Sequence, residues 1–289
     1  MTQTSNGVTL VQAWTQARKR LEAAGIEGPV IDARLLLEAA TGATRADIVT
    51  DPYRLLTPLE AETLEAHLAR RIAREPVSHI LGKKGFWTVE LKVTRDVLTP
   101  RPDTETLVDG VLKSLPAEEP MRILDLGSGS GAILLALLAE RPLWSGVGVD
   151  ISQPALEVAR ENAALLKLDG RAHFVHGLWA EGQPDHGFDA VVSNPPYIPT
   201  ADIDALDPEV SVHEPRLALD GGADGLDAYR VLAPQVIRVL KPGAVFALEI
   251  GHDQGQAVEA LMRAAGAGFS RVVGDLGQRD RVVIGRAPP

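Results

Sequence analysis

The chain has 289 residues, 45% of them hydrophobic, which is enough for one large core and a smaller second domain. Asp and Glu outnumber Lys and Arg by 39 to 29, so a broad phosphate-binding surface for nucleic acid is not expected. Cysteine is absent and no long apolar run occurs, which excludes disulfides and predicts a cytoplasmic protein without a membrane span. The seven histidines lack metal-ligand spacing, so no metal site is predicted.

Residues 1–83 show the periodicity of a small helical bundle. Apolar residues recur at helical spacing on two predicted faces: Leu10, Trp14, Ala17 and Leu21 on the first, and Ile31, Leu35, Leu36 and Ala39 on the second. Thr57, followed by Pro58 and Glu60, has the pattern of a helix N-cap with proline at the first helical position. We interpret residues 1–83 as an N-terminal helical domain.

Residues 84–102 are predicted to form a β-hairpin linker, because the stretch from Phe86 to Val93 alternates and is rich in strand-forming residues. From residue 103 to 289, strands alternate with helices, which is typical of a parallel sheet covered on both faces. Seven strands are predicted: 122–126, 146–151, 172–176, 190–193, 244–250, 271–275 and 281–285. Only five residues separate the last two, so these should pair antiparallel at the end of the sheet.

A glycine-rich turn follows the first predicted strand of this domain. Gly127, Gly129 and Gly131 alternate with Ser128 and Ser130, and a helix is predicted from residue 132 to 140. Glycines let a ligand approach the backbone, and the helix start offers unpaired N–H groups. Asp150 ends the next strand, where an acid can bind a ribose diol. The turn alone also fits a dinucleotide site or a simple connection, but one residue between its last two glycines is typical of S-adenosylmethionine enzymes.

Asn194-Pro195-Pro196-Tyr197 follows the apolar strand that ends at Ser193. Two prolines end the strand and fix the direction of the Asn side chain and of the neighbouring carbonyls. The carboxamide offers a donor and an acceptor, and the tyrosine offers a flat ring. The motif therefore fits a planar nitrogen group, either an amide or an exocyclic base amine, although a proline-stiffened turn has the same pattern.

Taken together, the chain resembles class I S-adenosylmethionine-dependent methyltransferases. More narrowly, it resembles the protein-(glutamine-N5) methyltransferases of peptide chain release factors, nearly from end to end. The resemblance rests on Phe86-Trp87, Pro100-Arg101-Pro102-Asp103-Thr104-Glu105, the glycine turn, Asn194-Pro195-Pro196-Tyr197-Ile198 and Glu214-Pro215-Arg216-Leu217-Ala218-Leu219. It implies a Rossmann-like seven-stranded α/β methyltransferase sheet with an antiparallel final strand, preceded by the helical bundle and the hairpin.

The resemblance also implies an activity and the residues that carry it. The activity is methylation of the amide nitrogen N5 of the glutamine in the Gly-Gly-Gln motif of release factors, which tunes translation termination. The implied cofactor-binding residues are Gly127, Ser128, Gly129, Ser130 and Gly131 around the methionine portion, Asp150 at the ribose, Trp179 at the adenine, and Asn194. The implied substrate-binding residues are Asn194, Pro195, Pro196 and Tyr197, of which Asn194, Pro195 and Tyr197 are catalytic. Leu178 stands where the family commonly has Asp, so adenine contacts there must be apolar or come from the backbone.

We expect the Asn194 side-chain oxygen and the Pro195 carbonyl to accept the two N–H bonds of the substrate amide, with Tyr197 packed on the amide plane. No general base is identified. Asp103 and Glu105 either line the cofactor entrance or start a helix. Glu214, Pro215 and Arg216 are expected to brace the long loop at 199–225, and the alternative is a direct role in binding the substrate.

Two other functions are compatible with parts of the pattern. An adenine-N6 DNA or RNA methyltransferase would use the same Asn-Pro-Pro-Tyr motif after base flipping, but the acidic balance weighs against it. A catalytically silent binding module would keep the fold and lose cofactor binding. The expected partner is a release factor docked by the N-terminal domain, without direct nucleic acid or membrane contact, and the enzyme is expected to be monomeric.

Overall fold

The computed structural model describes residues 7–289, which form two compact units. The first unit contains residues 7–82 together with Asp207–His213, and the second is Lys83–Leu206 together with Glu214–Pro289. No sequence pattern indicated that Asp207–His213 belongs with the N-terminal helices. The functional division into residues 1–83, 84–102 and 103–289 remains a prediction.

The described residues contain the following α-helices: α1 (Leu10–Ala23), α2 (Pro29–Thr41), α3 (Arg45–Thr50), α4 (Pro58–Ile72), α5 (Val77–Leu81), α6 (Glu105–Ser114), α7 (Ala132–Glu140), α8 (Gln153–Leu165), α9 (Pro208–Ser211), α10 (Asp227–Val239) and α11 (Gly255–Ala264). Their strands are β1 (Lys83–Phe86), β2 (Val89–Lys92), β3 (Arg122–Leu126), β4 (Ser145–Asp150), β5 (Ala172–His176), β6 (Phe188–Ser193), β7 (Leu240–Glu249), β8 (Phe269–Gly274) and β9 (Asp280–Arg286). Short 3-10 segments lie at Pro102–Thr104, Thr200–Ala205 and Arg216–Ala218. Among residues 7–289, no helix is long and apolar enough to cross a membrane.

The predicted apolar face of α1 is confirmed, because Leu10, Ala17 and Leu21 are fully buried in the core of the first unit. The predicted face of α2 is partly wrong: Leu36 is fully buried, but Ile31 is 56% exposed and Ala39 is also exposed. The buried residues of α2 are Ala33, Leu36 and Leu37. This helix carries apolar residues on more than one side, and its packing against α1 and α4 selects the buried face.

A buried arginine ties the short helix α9 into the first unit. The Nε of Arg71 donates to Asp32 at 2.7 Å, and its Nη1 donates to Glu209 of α9 at 2.8 Å. Arg74 forms a second ion pair with Glu209 at 2.8 Å. These guanidinium groups keep the pKa of Glu209 below its usual value despite the desolvation of the carboxyl, which raises it.

The second unit contains the predicted seven-stranded sheet, in the order β5-β4-β3-β6-β7-β9-β8. Strands β3 to β7 pair in parallel, whereas β9 is antiparallel to both β7 and β8. The antiparallel pair at the end of the sheet is thus confirmed. The predicted hairpin is also present, as the separate antiparallel pair β1-β2.

Helices cover both faces of this sheet. Side chains of the central strands alternate between two cores: in β3, Ile123 joins the core of α6, α7 and α8, and Leu124 joins that of α10 and α11. In β7, Val245 and Phe246 alternate in the same way. This period of two is what a strand buried on both faces requires.

The order of the strands brings three connections together. The chain runs outward from β3 to β5 and then returns to place β6 on the other side of β3. Ligands of open parallel sheets bind at such a switch point, outside the carboxyl ends of the strands. The glycine turn after β3, Asp150 at the end of β4 and Asn194 after β6 all lie at this edge.

Candidate active site

A cavity opens at the carboxyl ends of β3, β4 and β6. Most residues that were predicted to bind the cofactor line it: Gly127, Ser128, Gly129, Ser130, Asp150, Trp179 and Asn194. Of the other residues predicted for the site, Pro196 lines the cavity, whereas Gly131, Pro195 and Tyr197 do not. Further lining residues come from two segments, Asp96–Arg101 with Thr104, and Pro215 with Leu217 and Ala218. The walls are mainly apolar.

The glycine turn has the backbone conformation that only glycine adopts without strain. The φ angles of Gly127, Gly129 and Gly131 are +72°, +53° and +80°. The N–H groups of Gly127 and Ser128 both donate to the carbonyl of Val149, at 2.8 and 3.1 Å, which anchors the turn to β4. Gly131 faces the core instead of the cavity, because a Cβ there would meet Phe174 Cζ at 2.9 Å.

Asp150 fixes the turn as well as lining the cavity. Its Oδ2 accepts the N–H of Gly129 and its Oδ1 accepts the N–H of Ser152, both at 2.8 Å. A carboxylate offers about four lone-pair sites, so each oxygen retains an acceptor position for a diol. The geometry therefore permits the ribose contact that was predicted for this residue.

Asp125 lies beneath the turn in β3. Its Oδ2 accepts the N–H of Leu134 at 3.3 Å, which supplies the N-terminus of α7 with the side-chain acceptor that its N-cap, Gly131, lacks. Its Oδ1 has no hydrogen-bond partner among the described residues. Burial, together with the nearby charge of Asp150, raises the pKa of Asp125 to about 7.

Trp179 and Leu178 form one wall of the cavity. Trp179 has a positive φ of 52°, and its ring lies 3.5 Å from the position that a Cβ on Gly127 would occupy. The indole therefore packs against the open side of the glycine turn. Leu178 is 40% exposed and brings only an apolar surface to the region predicted for the adenine.

The Asn194-Pro195-Pro196-Tyr197 loop is fixed to the sheet at both ends. Just before it, the Ser193 hydroxyl donates to the Leu126 carbonyl at 2.6 Å, which joins the ends of β6 and β3. At its other end, the Tyr197 carbonyl accepts the Nε2 of Gln254 at 2.9 Å. Pro195 is buried between these anchors.

Two buried side chains that sequence reasoning missed contact this loop. Thr104 accepts the Nδ2 of Asn194 at 3.4 Å, and Glu249 Oε1 accepts the hydroxyl of Tyr197 at 3.4 Å. Glu249 is 1% exposed at the end of β7, and its burial raises its pKa to about 7. Burial of the Tyr197 side chain, together with the nearby charge of Glu249, raises the pKa of Tyr197. Thr104 lies in the Pro-Arg-Pro-Asp-Thr-Glu run at 100–105, whereas no local sequence pattern marks Glu249.

The remaining candidates have structural partners. Glu105 accepts the N–H of Trp87 at 2.9 Å, and Asp103 pairs with Arg281 at 3.2 Å; neither lines the cavity. Glu214 accepts the Thr99 N–H at 3.2 Å and pairs with Arg101 at 2.5 Å. Arg216 forms ion pairs with Asp204 and Asp220 within the loop at 199–225.

The fold and the position of the cavity define a methyltransferase of the Rossmann-like type. Residues 104–207 match the Methyltransferase small domain, and residues 12–82 match the PrmC N-terminal domain. The crystal structure of a methyltransferase from Pyrococcus furiosus has the same fold, with a TM-score of 0.52 at 17% identity, over 78% of this chain and 98% of that one.

Sequence relatives narrow the class to one family. The chain is 61% identical over 282 residues to the release factor glutamine methyltransferase of Caulobacter vibrioides, covering 98% of each. It is 49% identical over 267 residues to the protein of the same name from Rhodospirillum rubrum, covering 92% of this chain and 82% of that one. The chain belongs to the release factor glutamine methyltransferase family. The predicted resemblance is thus confirmed, and the nucleic-acid alternative is not favoured.

Proposed function

We propose that this enzyme transfers a methyl group from S-adenosylmethionine to the side-chain amide nitrogen of the glutamine in the Gly-Gly-Gln motif of peptide chain release factors. One observation carries the proposal. Asn194 lines the same cavity as the glycine turn and Asp150, so an amide-binding group and a cofactor-binding turn share one space. The names of the relatives support the choice of a release factor glutamine as substrate.

The residues of the cavity fit S-adenosylmethionine. Gly127 and Gly129 have no Cβ to block a ligand, and the buried Ser128 hydroxyl has no partner among the described residues. In this proposal the glycine turn, residues 127 to 131, holds the methionine portion. Asp150 accepts hydrogen bonds from the ribose. Trp179 packs beside the adenine, and Leu178 adds an apolar contact. When bound, the cofactor supplies a methyl group already activated by a positively charged sulfur.

The protein's contribution is then to orient the acceptor amide. An amide nitrogen is a weak nucleophile because its lone pair is delocalised into the carbonyl group. In our proposal the Asn194 Oδ1 and the Pro195 carbonyl accept its two N–H bonds, and Pro196 keeps both acceptors in place. Tyr197 is proposed to pack on the amide plane of the substrate, although it does not line the cavity. Alignment of this kind is worth up to about 7–11 kcal/mol of the barrier in favourable cases.

The N-terminal domain is the proposed binding site for the protein substrate. Residues 1–83 dock the release factor, residues 84–102 link this domain to the catalytic one, and the enzyme acts as a monomer in the cytoplasm. It makes no direct contact with nucleic acid, an expectation supported by the net charge of −10. Specificity for the protein substrate thus comes from the N-terminal domain, and selection of the nitrogen comes from Asn194 and Pro195.

The decisive experiment follows radiolabelled methyl groups from the cofactor into a purified release factor. We expect labelling of the natural factor, none of a factor in which the Gly-Gly-Gln glutamine is replaced, and a loss of about 100-fold or more in kcat for Asn194→Ala. Gln256→Ala, which removes an exposed amide on α11, is the matched control and should keep full activity. Undiminished labelling of the glutamine-free factor, or labelling of DNA or RNA alone, contradicts the proposal.

A further inference from the structure

A buried glutamine holds the C-terminal end of the Asn-Pro-Pro-Tyr loop. Gln254 lies just before α11 and is 8% exposed. Its Nε2 donates to the carbonyl of Tyr197 at 2.9 Å and to the carbonyl of Gly225 at 3.2 Å. Its Oε1 accepts the N–H of Gly251, which follows β7, at 2.9 Å. One side chain therefore joins the loop to the segment before α10 and to the segment after β7.

These three contacts require the primary amide of Gln254. A primary amide offers two N–H donors on one atom and an acceptor oxygen on the other, and Gln254 uses both donors and the oxygen. If the amide were rotated by 180°, its oxygen would face two carbonyls and its NH₂ group would face an N–H donor. The contacts therefore fix the orientation of the amide. A glutamate of the same length has no donor when it is ionised, so it cannot replace the glutamine.

Two glycines let the backbone pack closely around the Tyr197 carbonyl. A Cβ on Gly225 would lie 2.3 Å from the Tyr197 carbonyl oxygen and 2.6 Å from the Nε2 of Gln254. A Cβ on Gly221 would lie 2.8 Å from the Tyr197 Cα. The N–H of Gly221 also donates to the carbonyl of Ile198 at 2.8 Å. The end of the loop is thus packed against glycine backbone while Gln254 holds its carbonyl.

The loop is stiff between its two ends. The Ser193 hydroxyl holds the start of the loop to the end of β3, and Gln254 holds the Tyr197 carbonyl. Between these anchors, the rings of Pro195 and Pro196 fix two successive φ angles. A shift of the Tyr197 backbone therefore changes the direction of the Pro195 carbonyl, because the prolines leave few angles that could absorb it.

We infer that Gln254 is a positioning residue for methyl transfer, which keeps the Pro195 carbonyl and the Asn194 side chain directed at the substrate amide. The inference rests on the proposed function, since that function assigns both groups to the amide. Gln254 does not line the cavity and acts through the Tyr197 carbonyl. Its loss should therefore lower kcat and leave the cofactor Kd unchanged, because the glycine turn and Asp150 lie on other strands.

The first test observes the Tyr197 carbonyl directly by NMR, without turnover. The chain has three tyrosines, Tyr53, Tyr197 and Tyr229, so tyrosine labelled with 13C at its carbonyl gives three signals, and Tyr197→Phe assigns one of them. We expect this signal to shift in Gln254→Met, which keeps the length of the side chain and removes its amide. It should stay in place in Gln256→Met, the matched control at an exposed position. Tyr53, in the first unit, is the internal reference.

The second test uses pH to separate positioning from folding. In Gln254→Glu, an ionised carboxylate faces two carbonyls, whereas a protonated carboxyl can donate to Tyr197 and accept from Gly251. At about pH 8 we expect kcat to be about 10- to 100-fold below that of the unmodified enzyme, because the acceptors for the amide are misaligned. This deficit should shrink as the pH falls to about 5.5, since burial raises the pKa of the introduced carboxyl.

Three comparisons complete the second test. Gln254→Met should show a kcat deficit that does not change with pH, and Gln256→Glu should show none. Both Gln254 variants should bind S-adenosylmethionine with the Kd of the unmodified enzyme. Unchanged kcat in Gln254→Met, a pH-independent deficit in Gln254→Glu, or a Tyr197 signal that does not respond to Gln254→Met overturns the inference. An inactive but folded unmodified enzyme would instead contradict the proposed function.

Discussion

At the scale of single residues, the site depends on side chains that bind backbone as well as ligand. Asp150 is the clearest case, because its two oxygens hold Gly129 and Ser152 while it lines the cavity. Removing its charge should therefore affect the shape of the turn and the proposed ribose contact together. Hydrogen bonds to charged groups contribute about 1.5–3 kcal/mol each, more than neutral ones.

We predict that Asp150→Asn weakens S-adenosylmethionine binding at least 10-fold, or about 1.4 kcal/mol. An Asn side chain has one acceptor oxygen, so its NH₂ group would face one of the two backbone N–H donors. Isothermal titration calorimetry measures the change in Kd. Asp169→Asn, in the exposed turn before β5, is the control and should bind as the unmodified enzyme does. An unchanged Kd for Asp150→Asn would show that neither the turn nor the cofactor depends on this carboxylate.

Some residues of the site could be predicted from the sequence, and others could not. Asp150 was predicted because it ends the strand after the glycine turn, where an acid can meet a ribose, and Asn194 because it begins the Asn-Pro-Pro-Tyr motif after another strand. Glu249 ends a strand too, but no nearby pattern marks it, and its contact with Tyr197 exists only because β7 pairs beside β6. Contacts made by sheet pairing between distant segments leave no local signal in a single sequence.

At the scale of secondary-structure elements, capping signals predicted boundaries better than apolar periodicity predicted faces. The predicted N-cap at Thr57 is present, with Thr57 Oγ1 accepting the Glu60 N–H at 3.2 Å and Glu60 Oε2 accepting the Thr57 N–H at 2.7 Å. The predicted face of α2 was partly wrong because packing between helices, rather than helix period alone, decides which apolar side is covered. A helix cap is a local interaction and can be predicted from nearby residues. The buried face of a helix can be predicted only when the helices that pack against it are known.

We predict that Thr57→Ala destabilises the first unit by about 1 kcal/mol, because it leaves an N–H at the start of α4 without its acceptor. Thr63→Ala is the matched control on the same helix. Its hydroxyl bonds back to the Leu59 carbonyl inside the helix, so its loss should change stability little. Urea unfolding followed by circular dichroism measures both variants. Equal midpoints for the two would contradict a stabilising role for the cap.

At the scale of the whole molecule, two groups of carboxyls oppose each other in their effect on stability. The ion-paired carboxyls Glu60, Glu75, Glu209 and Asp275 have lowered pKa values, so they stabilise the folded state above their ordinary pKa and lose this contribution as the pH falls. Asp125 and Glu249 behave in the opposite way, because burial raises their pKa to about 7. The stabilising contribution of these two is complete at low pH and is lost as the pH rises.

Asp125 and Glu249 lie in the second unit, in strands that end at the sheet edge carrying the site. The alternation of strands and helices predicted that this edge would exist, and the order of the strands determines which residues meet there. The sheet therefore places ionisable groups in its interior where they serve the turn and the Asn-Pro-Pro-Tyr loop. A buried charge that assists a site should cost stability near neutral pH.

We predict that Glu249→Gln becomes more stable relative to the unmodified enzyme as the pH rises from about 4.5 to 8. The folded pKa of about 7 lies above the ordinary value of 4.5, so the stability contributed by Glu249 is complete below pH 4.5 and is lost as the pH passes 7. Gln stays neutral, so the difference should grow by about 3 kcal/mol between pH 4.5 and pH 8. Asp125 is present in both proteins, so its contribution to the stability difference cancels.

Urea unfolding followed by tryptophan fluorescence suits this comparison, because Trp87, Trp144 and Trp179 all lie in the second unit. Glu118→Gln, at an exposed position between α6 and β3, is the control and should show no such trend. A stability difference that stays constant from pH 5 to pH 8 would mean that Glu249 remains in one protonation state, which contradicts the prediction.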